Sequence, residues 1–456
     1  MPTRREFLIG AGVAVTLPLL SLPAEALAKE GPNFVFILTD DQRWDAMSCA
    51  GHPFLKTPNM DRIAKEGVRF TNAFVTTSLC SPSRESFATG HYVWSHGIKD
   101  NKTATNDVIP TYSKVLQSAG YDTAFIGKWH HGNEQYNPRP GFNRWVSFRG
   151  QGVYYNPTLN VDGEQVETHG YMTDVLTKYA VDWLKQPRNS PFCLCLFHKA
   201  VHEPFQPAVR HSKLYEDAEV PMPPNYFDTL EGKPKWQGSI RTADPERPAK
   251  QVEKIKDYMR TLVGIDESTG RLLATLEDMG ELDNTVIIFA GDNGFLHGEH
   301  GMGDKRVMYE ESIRIPMLMR YPKLVKPGTL INQMVLNIDV CPTILDLAGV
   351  KSPAGVQGES WRPLFKGKSA DWRKDFYYEY DLERPYVKRP TIRGIRTERW
   401  KYSETPELED IPELYDLKND PYEMHNLQGK PEYAKIQAEL KARLTEMEKE
   451  AGYHAE

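Results

Sequence analysis

Cysteine is scarce in this chain, and positive charge is not in excess. Five cysteines in 456 residues, an odd number, are too few to build a disulfide scaffold. Acidic residues outnumber basic ones, 62 against 56, for a net charge of −6. That leaves no basic footprint, so nucleic acid is not an expected partner. The mean hydropathy of −0.55 excludes a polytopic membrane protein. What is present is a globular composition, 40% apolar and 26% charged. The length suits one large α/β domain with an appendage.

The amino terminus reads as an address. Thr3-Arg4-Arg5-Glu6-Phe7-Leu8 resembles a twin-arginine signal, and an apolar stretch runs from Phe7 to Leu22. Ala26-Leu27-Ala28 fits a signal-peptidase site, which places cleavage after Ala28 and makes residues 1–28 a signal peptide. The stretch is short for spanning and is interrupted by Pro18, so no stable membrane anchor is expected. No cysteine follows the cleavage point closely enough for a lipoprotein. The expected destination is the periplasm or the medium, through the twin-arginine export machinery.

Beyond the signal, apolar strands alternate with helical segments. Pro32–Leu38 reads as a buried strand, followed at once by Asp40 and Asp41. Thr57-Pro58-Asn59 opens a short helix ending at Gly67, and 111–119 form another ended by Gly120. Strand 122–126 leads into Gly127-Lys128-Trp129-His130. Thr173 is expected to cap a helix with apolar residues at Val175, Leu176, Tyr179, Ala180, Trp183 and Leu184. The strand 191–197 precedes His198 and His202, and its Cys193 and Cys195 fall on one face of a buried strand. A helix over about 252–279 precedes strand 285–289, which runs on to Asp292 and Asn293. This alternation predicts an α/β fold with a large, mostly parallel sheet sandwiched by helices. Ligands of such sheets bind beyond the carboxyl ends of the strands. Four strands deliver polar groups there: Asp40 with Asp41, Lys128 with His130, His202, and Asp292 with Asn293.

Asp40, Asp41, Asp292 and Asn293 are hard oxygen ligands, which favour Ca²⁺ or Mg²⁺ over Zn²⁺. Lys128, His130, His202 and Lys305 add positive charge and proton donors. Together with a cation they suit a tetrahedral anion. Taken singly, each is more often a surface or core residue. Cys80 opens Cys80-Ser81-Pro82-Ser83-Arg84, where the Arg84 fork suits an anion or a carboxylate. A thiol hydrolase is the generic alternative, but it leaves the hard-metal ligands idle.

The run Cys80-x-Pro-Ser-Arg-x₄-Thr-Gly resembles the signature of the formylglycine-dependent sulfatases, within the alkaline-phosphatase-like superfamily. Gly120-Tyr-Asp-Thr-Ala-Phe-Ile-Gly-Lys128-Trp-His130 resembles a second motif of that family. Asp40-Asp41, Asp292-Asn293 and Lys305 follow in family order, and similarity runs to about residue 427. The resemblance implies that Cys80 is oxidised by a formylglycine-generating or sulfatase-maturing enzyme. The product, formylglycine, hydrates to a diol. One diol hydroxyl, polarised by Ca²⁺ (or Mg²⁺), would attack sulfur. His202, with Lys305 close by, would protonate the leaving alkoxide. His130 would take the second hydroxyl proton as sulfate is expelled. The resemblance further implies that Asp40, Asp41, Asp292 and Asn293 hold the cation with residue 80, that Arg84 orients the diol, and that Lys128 contacts sulfate and nucleophile. Maturation before folding is compatible with export of the folded product.

The segment His297–Lys305 and the stretch Glu379-Tyr380-Asp381 resemble bacterial carbohydrate sulfatases, including those that degrade glycosaminoglycans. A 6-sulfated N-acetylglucosamine or a similar sulfated sugar is the substrate this implies. The negative net charge favours end-on attack on short chains. Two alternatives stay open: a phosphonate or phosphate monoester hydrolase on the same scaffold, and a non-catalytic glycan-binding protein with unmodified Cys80. Residues 203–250, with eight prolines, form a long loop beside His202 and are either a substrate wall or a surface excursion. The catalytic domain is expected over 29–370. A carboxy-terminal α+β subdomain, 371–456, should carry a short antiparallel sheet near 391–402 and a helix at 431–451. Its aromatics, including Trp372, Tyr377, Tyr378, Tyr380, Tyr386 and Trp400, serve either core packing or sugar stacking.

Overall fold

The computed structural model describes residues 31–453 except 106, 133, 244–247, 384, 385 and 387. The signal peptide and its cleavage point lie outside the described residues. Ten strands form the main sheet: β1 (Asn33–Thr39), β2 (Val68–Phe70), β3 (Asp122–Gly127), β4 (Arg144–Ser147), β5 (Thr158–Val161), β6 (Glu164–Glu167), β7 (Phe192–Phe197), β8 (Thr285–Gly291), β9 (Met317–Arg320) and β10 (Thr329–Ile331). Their spatial order is β10-β2-β9-β8-β1-β7-β3-β4-β5-β6. The five central strands, β8 to β4, are mutually parallel. Antiparallel partners flank them, β9 on one side and β5 and β6 on the other.

The centre is parallel because its strands are buried on both faces. Every residue of β1, β7 and β8 is buried, which is what uninterrupted apolar runs dictate. Alternation then divides the side chains between two cores. Phe34, Phe36, Cys193, Cys195, Val286 and Ile288 enter one, and Val35, Ile37, Leu194, Leu196, Ile287 and Phe289 the other. Cys193 and Cys195 share a face as expected, and the Tyr112 hydroxyl lies 3.1 Å from the Cys195 sulfur.

Helices cover both faces: α1 (Pro58–Glu66), α2 (Cys80–Thr89), α3 (Tyr112–Ser118), α4 (Met172–Leu184), α5 (Pro248–Asp278) and α6 (Val340–Leu347). One expected cap is displaced. Helix α4 starts at Met172, with extended Tyr171 as its cap, and Thr173 lies inside the first turn. The chain enters there through stacked Tyr154 and Tyr171 and a Met172 N–H bond of 2.7 Å to the Tyr154 carbonyl, so packing overrides the threonine's capping preference. The carboxy-terminal region holds a four-stranded antiparallel sheet, β11 (Asp375–Tyr380), β12 (Ile392–Thr397), β13 (Trp400–Glu404) and β14 (Glu413–Asp416), covered by α7 (Ala434–Glu450). Trp372, Tyr377, Tyr378 and Tyr380 are buried in cores, so packing accounts for them. Tyr386 is 42% exposed.

Two fully buried histidines set an acid limit on the fold. Burial pushes His96 and His198 each down to about 3. As pH falls below about 6.5 the unfolded chain takes these protons first. Their stabilisation is therefore complete above that pH and is lost between it and about 3, by roughly 1.4 kcal/mol per pH unit per histidine. Urea unfolding at pH 6.5 and pH 5 should show His198→Gln losing about 2 kcal/mol less than the parent over that interval. Equal losses would refute the assignment.

Candidate active site

The carboxyl edge of the central strands collects the charged residues. Asp40 follows β1, Lys128 and His130 follow β3, His202 follows β7, and Asp292 and Asn293 follow β8. Backbone bonds lock these ends together: Asp40 N–H to the Ala200 carbonyl at 3.1 Å, and Asp292 N–H to the Thr39 carbonyl at 2.9 Å. Asp41 adopts a left-handed backbone, φ 62°, and its N–H donates to Asp292 Oδ1 at 2.9 Å. Carboxylate oxygens of Asp40, Asp41 and Asp292 lie within 4.8 Å of one another, all buried. Asn293 Nδ2 donates to Asp41 Oδ1 at 2.6 Å, while its own Oδ1 is buried without a partner. An orphaned amide oxygen beside three clustered carboxylates is a donor set that fits a hard divalent cation.

Helix α2 inserts Cys80 into this cluster. The chain arrives extended at Leu79 and turns helical at Cys80, whose sulfur stands 3.4 Å from Asp40 Oδ1 and 4.0 Å from Asp41 Oδ1. The Cys80 sulfur, a ring nitrogen of His202 and an Asp40 oxygen also lie within 4.8 Å of one another. Burial and the negative charge of Asp40 push the Cys80 thiol well above its usual range. A thiolate nucleophile is thus disfavoured, which argues against a thiol hydrolase. One turn along α2, Arg84 donates from Nε to Asp292 Oδ2 at 2.9 Å and from Nη1 to the Lys128 carbonyl at 2.8 Å. Its fork is pinned between a carboxylate and the β3 loop.

Lys128 pairs with Asp40 and reaches Gln151 Oε1 at 2.5 Å. It is aimed by Gly127, where a Cβ would overlap the Phe197 carbonyl oxygen, so only glycine lets β3 approach β7 here. Lys305 Nζ donates to both Asp41 oxygens, at 2.5 and 2.6 Å. Burial alone would raise Asp40, but the charges of Lys128, Arg84 and Lys305 hold it well below the usual carboxylate range. Asp292 is pushed up to about 7 by burial and by the charge of Asp40. The two histidines are held neutral, His130 by burial and Lys128, His202 by burial and Lys305. His202 Nδ1 lies 2.7 Å from the Glu203 carbonyl, which turns Nε2 toward Asp41 Oδ2, 3.8 Å away.

The cluster opens into a cavity of about 610 Å³, whose lining includes His130, His202 and Lys305. Part of the long loop is a wall of it, through Glu203, Phe205, Thr242 and Ala243. Gln151, Asp304, Arg306, Glu383, Tyr386 and Arg389 also line it. Of these, Asp304 and Tyr386 stood in stretches the sequence singled out, whereas the others carry no local signal. Lys199 escaped as well: it is buried, pushed down to about 8 by burial and Lys128, and held 4.6 Å over the Tyr154 ring. His297 and His300 turn away from the cavity, His297 packing against Tyr258 and His300 pairing with Asp228 at 2.6 Å. Glu379 is buried against the Trp94 N–H.

This geometry has close counterparts. Residues 32–350 match the sulfatase family model, and residues 298–450 match the model described as N-sulphoglucosamine sulphohydrolase, C-terminal. The N-acetylglucosamine-6-O-sulfatase of Bacteroides thetaiotaomicron is 38% identical, over 95% of this chain and 90% of its own. A solved structure described as a complex with its substrate, D-glucosamine-2-N,6-O-disulfate, superposes with a TM-score of 0.85 at 37% identity, covering 92% of this chain and 98% of that one. The phosphonate monoester hydrolase of Agrobacterium radiobacter shares the fold at a TM-score of 0.78, 20% identity and 92% and 96% coverage. Sulfatases generally use a formylglycine and a divalent metal, and the buried carboxylate cluster beside Cys80 is a possible site for such a metal. With the family model spanning most of its length and a relative at that identity end to end, the chain belongs to the sulfatase family.

Proposed function

We propose that this sulfatase hydrolyses the 6-O-sulfate of a glucosamine or N-acetylglucosamine residue, acting on the end of a short saccharide and releasing inorganic sulfate. The observation that carries this is the seating of Cys80 against Asp40 and Asp41, directly behind the His202 and Lys305 that line the cavity. The relatives' substrates support the choice of sugar, and a cavity of about 610 Å³ suits a terminal unit rather than a through-running polymer.

Asp40, Asp41, Asp292 and Asn293 would hold the cation, Ca²⁺ before Mg²⁺ because a set of carboxylate and amide oxygens suits the larger ion's all-oxygen, less regular shell. When bound, it supplies positive charge for the ester oxygens, and oxidised Cys80 supplies a diol nucleophile. The remaining work falls to the chain's own side chains. Arg84 fixes the orientation of residue 80 through Asp292. Lys128 and Lys305 hold sulfate oxygens from two sides. A bound anion raises the proton affinity of His202, offsetting burial and Lys305, so His202 Nε2 can carry the proton given to the leaving alkoxide. His130, buried and neutral, takes a proton back. A maturing enzyme for Cys80 and twin-arginine export to the periplasm complete the reading.

Mass analysis of the tryptic peptide carrying Cys80, from protein purified out of its native cells, should show aldehyde in place of thiol. The same protein should release sulfate from 6-O-sulfated N-acetylglucosamine far faster than phosphate or phosphonate from matched monoesters. Wholly unmodified cysteine would return the chain to a binding role, and faster phosphonate turnover would favour the hydrolase on the same fold.

A further inference from the structure

Helix α2 does more than carry the nucleophile. Ser81, Arg84 and Glu85, spaced i, i+3 and i+4, share one face of it. That face meets the loop after β3 at three successive points. The Ser81 hydroxyl donates to the His130 carbonyl, Arg84 Nη1 donates to the Lys128 carbonyl at 2.8 Å, and Glu85 Oε2 pairs with His131 Nε2 at 3.0 Å. The first two contacts use backbone oxygens and tolerate sliding of the loop. The third is side chain to side chain and deeply buried, with Glu85 at 4% and His131 at 2% exposure. Among the described residues Glu85 has no second ion-pair partner. The His131 ring is held from its other side by Trp129, 4.6 Å away between ring centroids. Between these anchors His130 sits in the left-handed region, φ 62°, which a histidine does not adopt without constraint. Burial alone would raise Glu85, yet its close contact with His131 holds it below the usual range.

We infer that the buried Glu85–His131 pair is a positioning device: it locks the loop bearing Lys128 and His130 onto the helix bearing Cys80 and Arg84, and so fixes the distance between nucleophile and proton acceptor. Neither residue touches the cavity, so both act through His130. The inference rests on the proposed role of His130. A loop released at this point misplaces the acceptor by a fraction of an ångström or more and slows the chemical step, whereas Lys128, held separately by Asp40 and Gln151, keeps its hold on the substrate.

The test compares His131→Leu, the double variant Glu85→Leu/His131→Leu and Glu85→Gln in the exported holoenzyme, with kcat expressed per formylglycine measured by peptide mass. That normalisation matters because Glu85 lies within the modified motif, whereas His131 lies outside it. His131→Leu leaves a buried carboxylate unpaired and should lower both Tm and kcat, kcat by about 10- to 100-fold with KM unchanged. The double variant removes the carboxylate together with its partner, so Tm should recover while kcat stays low. Glu85→Gln, which keeps a polar side chain of the same length against His131, should retain most of kcat. A double variant with parental kcat, or a change confined to Tm or KM, would overturn the inference. His130→Ala, run alongside, separates the two readings: unchanged kcat there removes the role of His130 itself, whereas loss there with parental kcat in the clamp variants removes only the clamp.

Discussion

Cys80→Ser is expected to fold as the parent does and to liberate at most about one desulfated sugar per molecule, the sulfate staying on the enzyme as a serine ester. Serine fills the volume of Cys80, which is fully buried, and its hydroxyl can donate to Asp40 Oδ1, the atom 3.4 Å from the sulfur. Core volume and polar satisfaction are both kept, so Tm should stay within a few degrees of the parent. The chemistry is not kept. A single hydroxyl that attacks sulfur becomes a sulfate ester with no second hydroxyl to expel it, whereas a diol has one. Cys80→Ala removes even the first attack and should lower sulfate release by about 1,000-fold or more. A stopped assay with enzyme in molar comparison to substrate distinguishes the two, showing a stoichiometric burst of desulfated sugar and a sulfated Cys80→Ser protein by mass, and neither for Cys80→Ala. Sustained turnover by Cys80→Ala would end the proposed mechanism, because that mechanism draws its nucleophile from residue 80 alone.

The scaffold for this chemistry was legible because it depends on runs and ends rather than on contacts at a distance. Strands β1, β7 and β8 announce themselves as unbroken apolar segments, and their burial on both faces forces the parallel centre. The residues that follow them must then share an edge, which is how Asp40, Lys128, His202 and Asp292 come together. The flanking strands gave no such signal, since β2 has three residues and β5 four. Their antiparallel pairing depends on which edge is free, a property of the assembled sheet. Arg389, Glu383 and Gln151 reach the cavity from loops whose own sequence carries no period. His297 and His300 show the opposite failure. They sit within a segment that looks like site chemistry, but Gly298 and the left-handed His300 turn both rings into packing against Tyr258 and Tyr309. The Glu85–His131 pair was invisible because Glu85 lies in the Cys80 motif and His131 one residue past the second motif, and only the docking of α2 on the β3 loop joins them.

Removing divalent metal should abolish turnover and soften the fold together. Asp40, Asp41 and Asp292 are three buried carboxylates, and Lys128, Lys305 and Arg84 are the three cations set directly against them. That balance is close to neutral, and a neutral floor has little attraction for a sulfate ester. A divalent cation on the carboxylates tips the site to positive and gives the ester oxygens a charge to lean on. The orphaned Asn293 Oδ1 gains a partner in the same event. Exhaustive chelation is therefore expected to lower sulfate release by about 100-fold or more, since Lewis-acid stabilisation contributes several kcal/mol to such steps. Added Ca²⁺ should restore it. Because the donors come together only in the folded chain, binding is also folding energy: Tm should climb with free Ca²⁺, reaching about 2.7 kcal/mol of added stability at one hundred times Kd. Mg²⁺ should restore less at equal concentration, as its smaller shell demands a near-ideal octahedron that an aspartate cluster on loops does not preform. Full activity in chelated protein with no metal by elemental analysis would show instead that Lys128, Lys305 and Arg84 carry the ester's charge alone. The carboxylates would then be their counter-ions and not a metal site.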